Sequence, residues 1–368
     1  MGTAGRREDR RAAPTLLTVL QVHMPEHYRL HGLRIRVLSD HPTARRALHR
    51  ALLFKGARPE DAGRDSASAD ATLDVSVNRP PAAPPRDDPD VEINQSVRVC
   101  LWKTAGTMIL RHEDTTVELD PEAGVAEAAV ASHHLAVNAD GGRNSFLGYV
   151  MILSLTLLLR ADGWFPLHAA GLRHRGHGVL LTAKSGSGKS TAALSLVRNG
   201  WEYLSDDTVL LRPEGGRITA YSFRRAFCVD PGTTAHFPEL ADGDWPPALS
   251  NPQKWQIHLE EVYPGTSAPS CTPTVIVLPD LVDARESHVE PAATKAVLEQ
   301  LISEGAFFLA PDSDVADRHL AVLRRLIDQS QAYRLHAGRD ALEAEPLFRS
   351  GHCPGSATDH SHAAGAAA

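Results

Sequence analysis

"LLTAKSGSGKSTAALSLVRNGWEYLSDD", residues 180–207, decides how this chain is read. An apolar strand (Val179 to Thr182) runs through a Gly/Ser-rich turn into a helix (Lys189 to Asn199), and a second strand then ends in two carboxylates. Gly200 follows the helix, where a left-handed residue closes the last turn. Strand, glycine loop, helix and strand in this order form the core of a P-loop phosphate-binding unit and predict an α/β fold.

Ala183 to Ser190 reads AKSGSGKS and fits GxxxxGK[ST], with Ala183 in place of the first glycine. In such a loop Gly186 and Gly188 let successive backbone N–H groups turn onto phosphate oxygens. Lys189 reaches the β- and γ-phosphates, and the Ser190 hydroxyl sits on Mg²⁺. Ser185, Gly186, Ser187, Gly188, Lys189, Ser190 and Thr191 are the expected nucleotide-binding residues. The leading position mainly starts the turn, so a methyl group at Ala183 leaves the cradle intact.

Asp206 and Asp207 lie just past the second strand, where strand ends converge in open α/β sheets. One carboxylate there serves a metal. Two permit a division of labour, one towards Mg²⁺ and one towards an incoming hydroxyl. A plain Asx turn over Ser205 to Thr208 is the structural alternative. His168 stands on a short strand before the P-loop strand, among apolar neighbours, and by itself reads as a core histidine.

Moving outward, residues 16–140 are strand-rich. LRIRVLSD, TLDVSV, SVRVCLWK, GTMILRHED and TTVELD alternate as strands, and TARRALHRALLF has helical spacing. The Pro-rich stretch 78–90 reads as a surface excursion. FLGYVMILSLTLLL (Phe146 to Leu159) is too short to span a bilayer and reads as a buried helix. Beyond the P-loop unit, TPTVIVLPD and AYRLHAG read as strands, and ATKAVLEQLISEGA and DVADRHLAVLRRLIDQS as helices. The expected division is a tail at 1–15, a smaller α+β domain at 16–140, a P-loop domain at 141–350 and a disordered tail at 351–368.

The whole chain of 368 residues carries a net charge of -7, which leaves no basic stripe for nucleic acid. Its four cysteines form no CxxC pair, so neither a zinc cage nor a disulfide framework is encoded. The basic N-terminus lacks an apolar h-region, and a cytoplasmic location without membrane attachment is expected. Ser132 to His134 and the tail histidines His352, His360 and His362 have no acid or cysteine at ligand spacing and read as surface residues.

Trp164 to Leu211 resembles the catalytic core of the HPr kinase/phosphorylase family and its HPr-kinase-like relatives. That core has a histidine before the P-loop strand, a glycine ending the helix and an Asp-Asp pair closing the next strand. His168, Gly186 to Ser190, Gly200, Asp206 and Asp207 take those places. The resemblance implies a P-loop, HPr-kinase-like C-terminal core. It also implies Asp206 as the catalytic residue near an acceptor serine, His168 as a second catalytic residue lining the γ-phosphate pocket, and Asp207 beside Ser190 on the metal.

The chain departs from the bifunctional enzymes in its Ser-Gly-Ser centre and in lacking a glutamate after Ser190. It also lacks the glycine-rich and arginine-asparagine signatures tied to phosphorolysis and hexamer contacts. Where the second would fall stands NPQKWQIHLEEVYPG, whose Lys254 is the cation able to approach a phosphate. Relatives without those signatures include kinases that phosphorylate serine in modified peptides, and relatives can be homo-oligomers. The expected function is an ATP- and Mg²⁺-dependent kinase of a serine hydroxyl on a peptide or small protein. A kinase of a small-molecule hydroxyl such as free serine, or a nucleotide-sensing module without phosphotransfer, are the alternatives.

Overall fold

The computed structural model describes residues 26–60, 69–94, 98–135, 146–184, 186–223, 226–241, 243–248, 251–305 and 312–342. The expected terminal tails, Ser185 and the three tail histidines lie outside the described residues.

Alternating apolar residues build the first half. Strands β1 (His27–Leu30), β2 (Leu33–Leu38), β3 (Arg58–Glu60), β4 (Ala71–Val77), β5 (Val91–Asn94), β6 (Arg98–Lys103), β7 (Met108–His112), β8 (Thr115–Asp120) and β9 (Val125–Val130) share one sheet. Their order is β3-β1-β2-β4-β9-β8-β7-β6-β5, with β2, β4 and β9 parallel neighbours. In β2 and β4 every second residue points inward, and Ile35, Val37, Leu73 and Val75 are buried. This period of two is what marked these segments as strands.

Two helices, α1 (Pro42–Phe54) and α2 (Phe146–Ala161), pack on each other and against the sheet. Buried Leu48 and Leu52 of α1 and Leu147, Met151 and Leu155 of α2 join the sheet residues in one apolar core. Because α2 is covered by that core, it can be apolar nearly all round. Its packing places it with the nine-stranded sheet. Among the described residues no helix is long and apolar enough to cross a membrane.

The second half begins with β10 (Phe165–His168), β11 (Ala170–His174), β12 (His177–Leu181), α3 (Lys189–Arg198), β13 (Glu202–Ser205), β14 (Thr208–Glu214), β15 (Arg217–Ser222) and β16 (Phe227–Val229). It continues through α4 (Pro231–Thr234), α5 (Pro238–Ala241), β17 (Pro247–Ala248), β18 (Asn251–Ile257), α6 (Leu259–Val262), β19 (Ser270–Cys271) and β20 (Pro273–Leu281). It closes with β21 (His288–Pro291), α7 (Thr294–Glu304), α8 (Ser313–Asp328) and β22 (Gln331–Ala337). Three sheets result, ordered β13-β11-β12-β20-β22-β21, β10-β14-β15-β19 and β16-β18-β17. The molecule is mixed α/β, as the strand, loop, helix and strand of residues 180–207 predict.

Strands β12, β20 and β22 run parallel, so their C-terminal ends share one edge. In open α/β sheets that edge is where ligands bind. The two halves meet through shared core, since Trp164, Leu210 and Phe223 pack with the first sheet. The His31 ring reaches across to the Ser222 carbonyl at the same seam.

Candidate functional site

The phosphate loop is built by glycine conformation. Gly186 and Gly188 hold φ of +85° and +86°, a left-handed region that strains any side chain. At Gly188 space is also short, since a Cβ would come within 2.9 Å of the Leu281 side chain. Helix α3 starts directly after it, with the Ala192 N–H donating to the Gly188 carbonyl at 2.9 Å. The Ser187 hydroxyl closes the turn by donating to the Lys184 carbonyl at 2.8 Å.

Lys189 is 7% exposed and donates to the Ala183 carbonyl and, at 3.3 Å, to that of Lys184. Burial pushes its pKa down, against the pull of the Glu304 and Asp207 carboxylates. Ser190 lines the same cleft. The Thr191 hydroxyl lies 3.1 Å from that of Thr233, which ties α3 to the short helix α4. Asp230 caps α4 by accepting both the N–H and the hydroxyl of Thr233 at 2.9 Å.

A cleft of ≈ 720 Å³ gathers these groups with His168, Asp206, Asp207, Cys228, Asp230, His236 and Lys254. Leu281, Val282, Ala337, Gly338 and Arg339 close it from the ends of β20 and β22. The turn after β13 is satisfied by Ser205, whose Oγ accepts the N–H groups of Asp207 and Thr208 at 3.3 and 3.2 Å. The Ser205 hydroxyl thus helps to shape the turn that carries the two aspartates. Asp206 is 3% exposed, and its Oδ2 accepts the Cys228 N–H at 2.9 Å. Asp207 is more open, and its Oδ2 accepts the Thr208 hydroxyl at 2.9 Å.

His168 is held from two sides. Its Nδ1 lies 2.6 Å from Glu304 Oε2 and its Nε2 3.5 Å from Asp207 Oδ1. Burial opposes its charge, but hydrogen bonding and attraction from Asp207, joined by Glu304, outweigh burial and the Lys189 cation. The pKa ends above the ordinary histidine value. His168 thus stands between two carboxylates at a cleft wall, and the core-histidine reading does not describe it.

Glu304 was not found from the sequence, where 136 positions separate it from His168. One signal was available: a glutamate in the last turn of a helix faces the negative end of the dipole and needs a cation nearby. Arg160, 1% exposed, fixes the next residue by donating to the Gly305 carbonyl at 3.0 Å. Burial brings its pKa down to about 10, which leaves it charged at neutral pH. Lys254, expected as the cation able to approach a phosphate, lines the cleft and acts electrostatically on both Lys189 and Asp230. Arg339 was also missed. It pairs with Asp283 at 2.9 Å on the rim.

No family model matches this chain, and no curated protein does. Among solved structures, the HPr(Ser) kinase/phosphatase from Coxiella burnetii is similar to it over 34% of this chain and 72% of its own. The identity is 16% and the TM-score 0.23. At that level the likeness carries no weight, and the cleft's own chemistry has to support any functional reading.

Proposed function

We propose that this chain is an ATP-dependent phosphotransferase that moves the γ-phosphoryl group to a serine hydroxyl of a peptide or small protein. The supporting observation is that one open cleft brings together a glycine loop with its lysine, a buried carboxylate and a carboxylate-paired histidine. Phosphoryl transfer needs mainly positioning and charge stabilisation, so this small set is chemically sufficient.

The loop fits a nucleotide phosphate tail. A Cβ at Gly186 would meet nothing within 4 Å, which leaves its backbone open to a ligand. Ser190 and Asp207 would hold Mg²⁺, which supplies charge neutralisation along the phosphates. Lys189, now turned onto loop carbonyls, would exchange them for phosphate oxygens, as the stronger acceptors. His168 would add positive charge on the opposite wall. Asp206, held through Oδ2 by the Cys228 N–H, would orient the acceptor hydroxyl and take its proton as the new O–P bond forms and the bond to the ADP leaving group breaks. The acceptor would enter beside α4, where Asp230 and His236 line the cleft. Residues 164–342 would carry this chemistry, and its ATP requirement suits the cytoplasm.

The test offers Mg²⁺ and γ-labelled ATP with serine-containing peptides, with free serine, or with neither. Phosphoserine on a peptide is the expected product. Label on free serine alone would move the acceptor to a metabolite, and nucleotide binding without any labelled acceptor would leave a binding module.

A further inference from the structure

Two histidines that the sequence reading set aside as surface residues have acidic partners in space. His133 and His134 lie on the 3₁₀ turn Ser132–Leu135, directly after β9. Strand β8 runs antiparallel to β9 with Thr116 opposite Ala129, so the start of β8 lies beside the end of β9. This register carries the two-residue turn between β7 and β8, Glu113 and Asp114, up to the histidines. The missing acid ligands therefore come from a hairpin tip that no sequence spacing connects to them.

The distances are compatible with a coordination shell. Asp114 Oδ1 lies 2.9 Å from His134 Nε2 and 3.7 Å from His133 Nε2, and Glu113 Oε2 lies 3.6 Å from His134 Nε2. All four side chains offer a donor atom within 4.8 Å of every other. Ligand atoms about 2.0–2.1 Å from a tetrahedral Zn²⁺ are separated by roughly 3.3 Å, and the three distances straddle that value. A hydrogen bond accounts for the shortest one. The other two exceed hydrogen-bond range, and a bound cation would draw the two adjacent carboxylates together.

Glu113 takes φ +50°, in a two-residue hairpin turn that ordinarily selects Asn or Gly. Beside it, His112 Nδ1 donates to the Arg98 carbonyl at 2.6 Å, with Nε2 4.0 Å from Glu113 Oε1.

We propose that Glu113, Asp114, His133 and His134 form a transition-metal site, best matched to Zn²⁺, that clamps the β7–β8 turn to the end of β9. Two imidazoles with two carboxylates suit Zn²⁺ or Co²⁺, whereas Mg²⁺ and Ca²⁺ take oxygen donors. His134 is the sheltered ligand and the other three are open to solvent, so the ion would exchange freely. A second group, His288, Glu290 and His336, offers three donors. Its imidazoles stack at 4.2 Å and 10°, so their in-plane lone pairs run side by side and do not converge. The rings of His133 and His134 are tilted by 39°. None of the four proposed ligands belongs to the cleft, and the proposal stands apart from the phosphotransferase reading.

The full-length, metal-free protein is titrated with Co²⁺ in the absence of nucleotide, and the visible d–d absorption is followed. One equivalent should give the intense band of four-coordinate Co²⁺, displaced by Zn²⁺. The band should be lost in Asp114→Asn and His134→Gln. It should persist in His336→Gln and in a variant with His352, His360 and His362 all changed to Gln. Metal-free melting temperatures establish that each variant is folded, and Zn²⁺ should raise that of the parent by a few degrees but not that of His134→Gln. Absence of the band in the parent, its survival in folded His134→Gln, or its loss with the tail histidines or His336 would overturn the site.

Discussion

The two halves of the molecule bury different kinds of side chain. Under the nine-stranded sheet the core is mostly aliphatic, and among the described residues its buried polar ones are the neutral Thr115, Thr116 and Ser154, with Arg160 at the seam. In the second half Lys189 and Asp206 are buried, and Thr182, Ser205 and Thr233 are buried around the same edge. Burying charge is costly and persists where a specific arrangement repays it, which is why such groups mark functional sites. The first half buries mainly neutral groups, and the second buries charged ones at the edge of the proposed phosphotransfer cleft.

Three substitutions try to break that contrast. Lys189→Met keeps the length of the side chain and removes its charge, and should lower kcat/KM by about 10³-fold or more. Calorimetry should find ATP binding lost while the melting temperature stays near that of the parent. Leu73→Ala, at a fully buried position of β4, should do the reverse. Denaturant unfolding should show about 2–5 kcal/mol of lost stability, with ATP affinity of the folded protein unchanged.

The smallest effect belongs to Glu304→Gln, which removes one of the two carboxylates that favour the charged form of His168. The limb of the pH–rate profile governed by His168 should move to lower pH, and the rate at pH 8 should fall severalfold. Stability follows the same logic. The His168 pKa is raised in the fold, so its pairing contributes fully below about 6.5 and is lost as pH rises through the raised value. Glu304→Gln should therefore destabilise more at pH 6 than at pH 9.

His319 behaves oppositely. Burial, with Arg160 adding to it, lowers its pKa to about 3 beside the stacked Phe165 ring. Its contribution holds above about 6.5 and is lost as pH falls towards 3. One chain thus holds a core histidine and a cleft histidine, and their pH dependences of stability have opposite signs.

What the sequence disclosed follows from the range of the interactions involved. The loop, α3, Gly200 at φ +88° and the Asp pair after β13 are set by residues a few positions apart, and each stands where the motif puts it. Strands β2, β4, β6, β7 and β8 showed their period of two. Strand β9, Val125–Val130, did not, because VAEAAV offers small alanines where larger apolar residues would reveal the alternation. Glu304 and Arg339 come to the cleft by way of α7 and the end of β22, and Glu113 and Asp114 meet His133 through strand register. Apart from the place of Glu304 in a last helical turn, these pairings leave no local pattern, since only the completed fold brings the segments together.

The contrast between the two halves rests most heavily on Asp206. With acceptor and Mg²⁺ saturating, single-turnover transfer from γ-labelled ATP is compared in the parent and Asp206→Asn, alongside ATP affinity measured separately. The account predicts a rate about 10²- to 10⁴-fold lower with affinity nearly intact. Transfer at the parental rate by Asp206→Asn would contradict it.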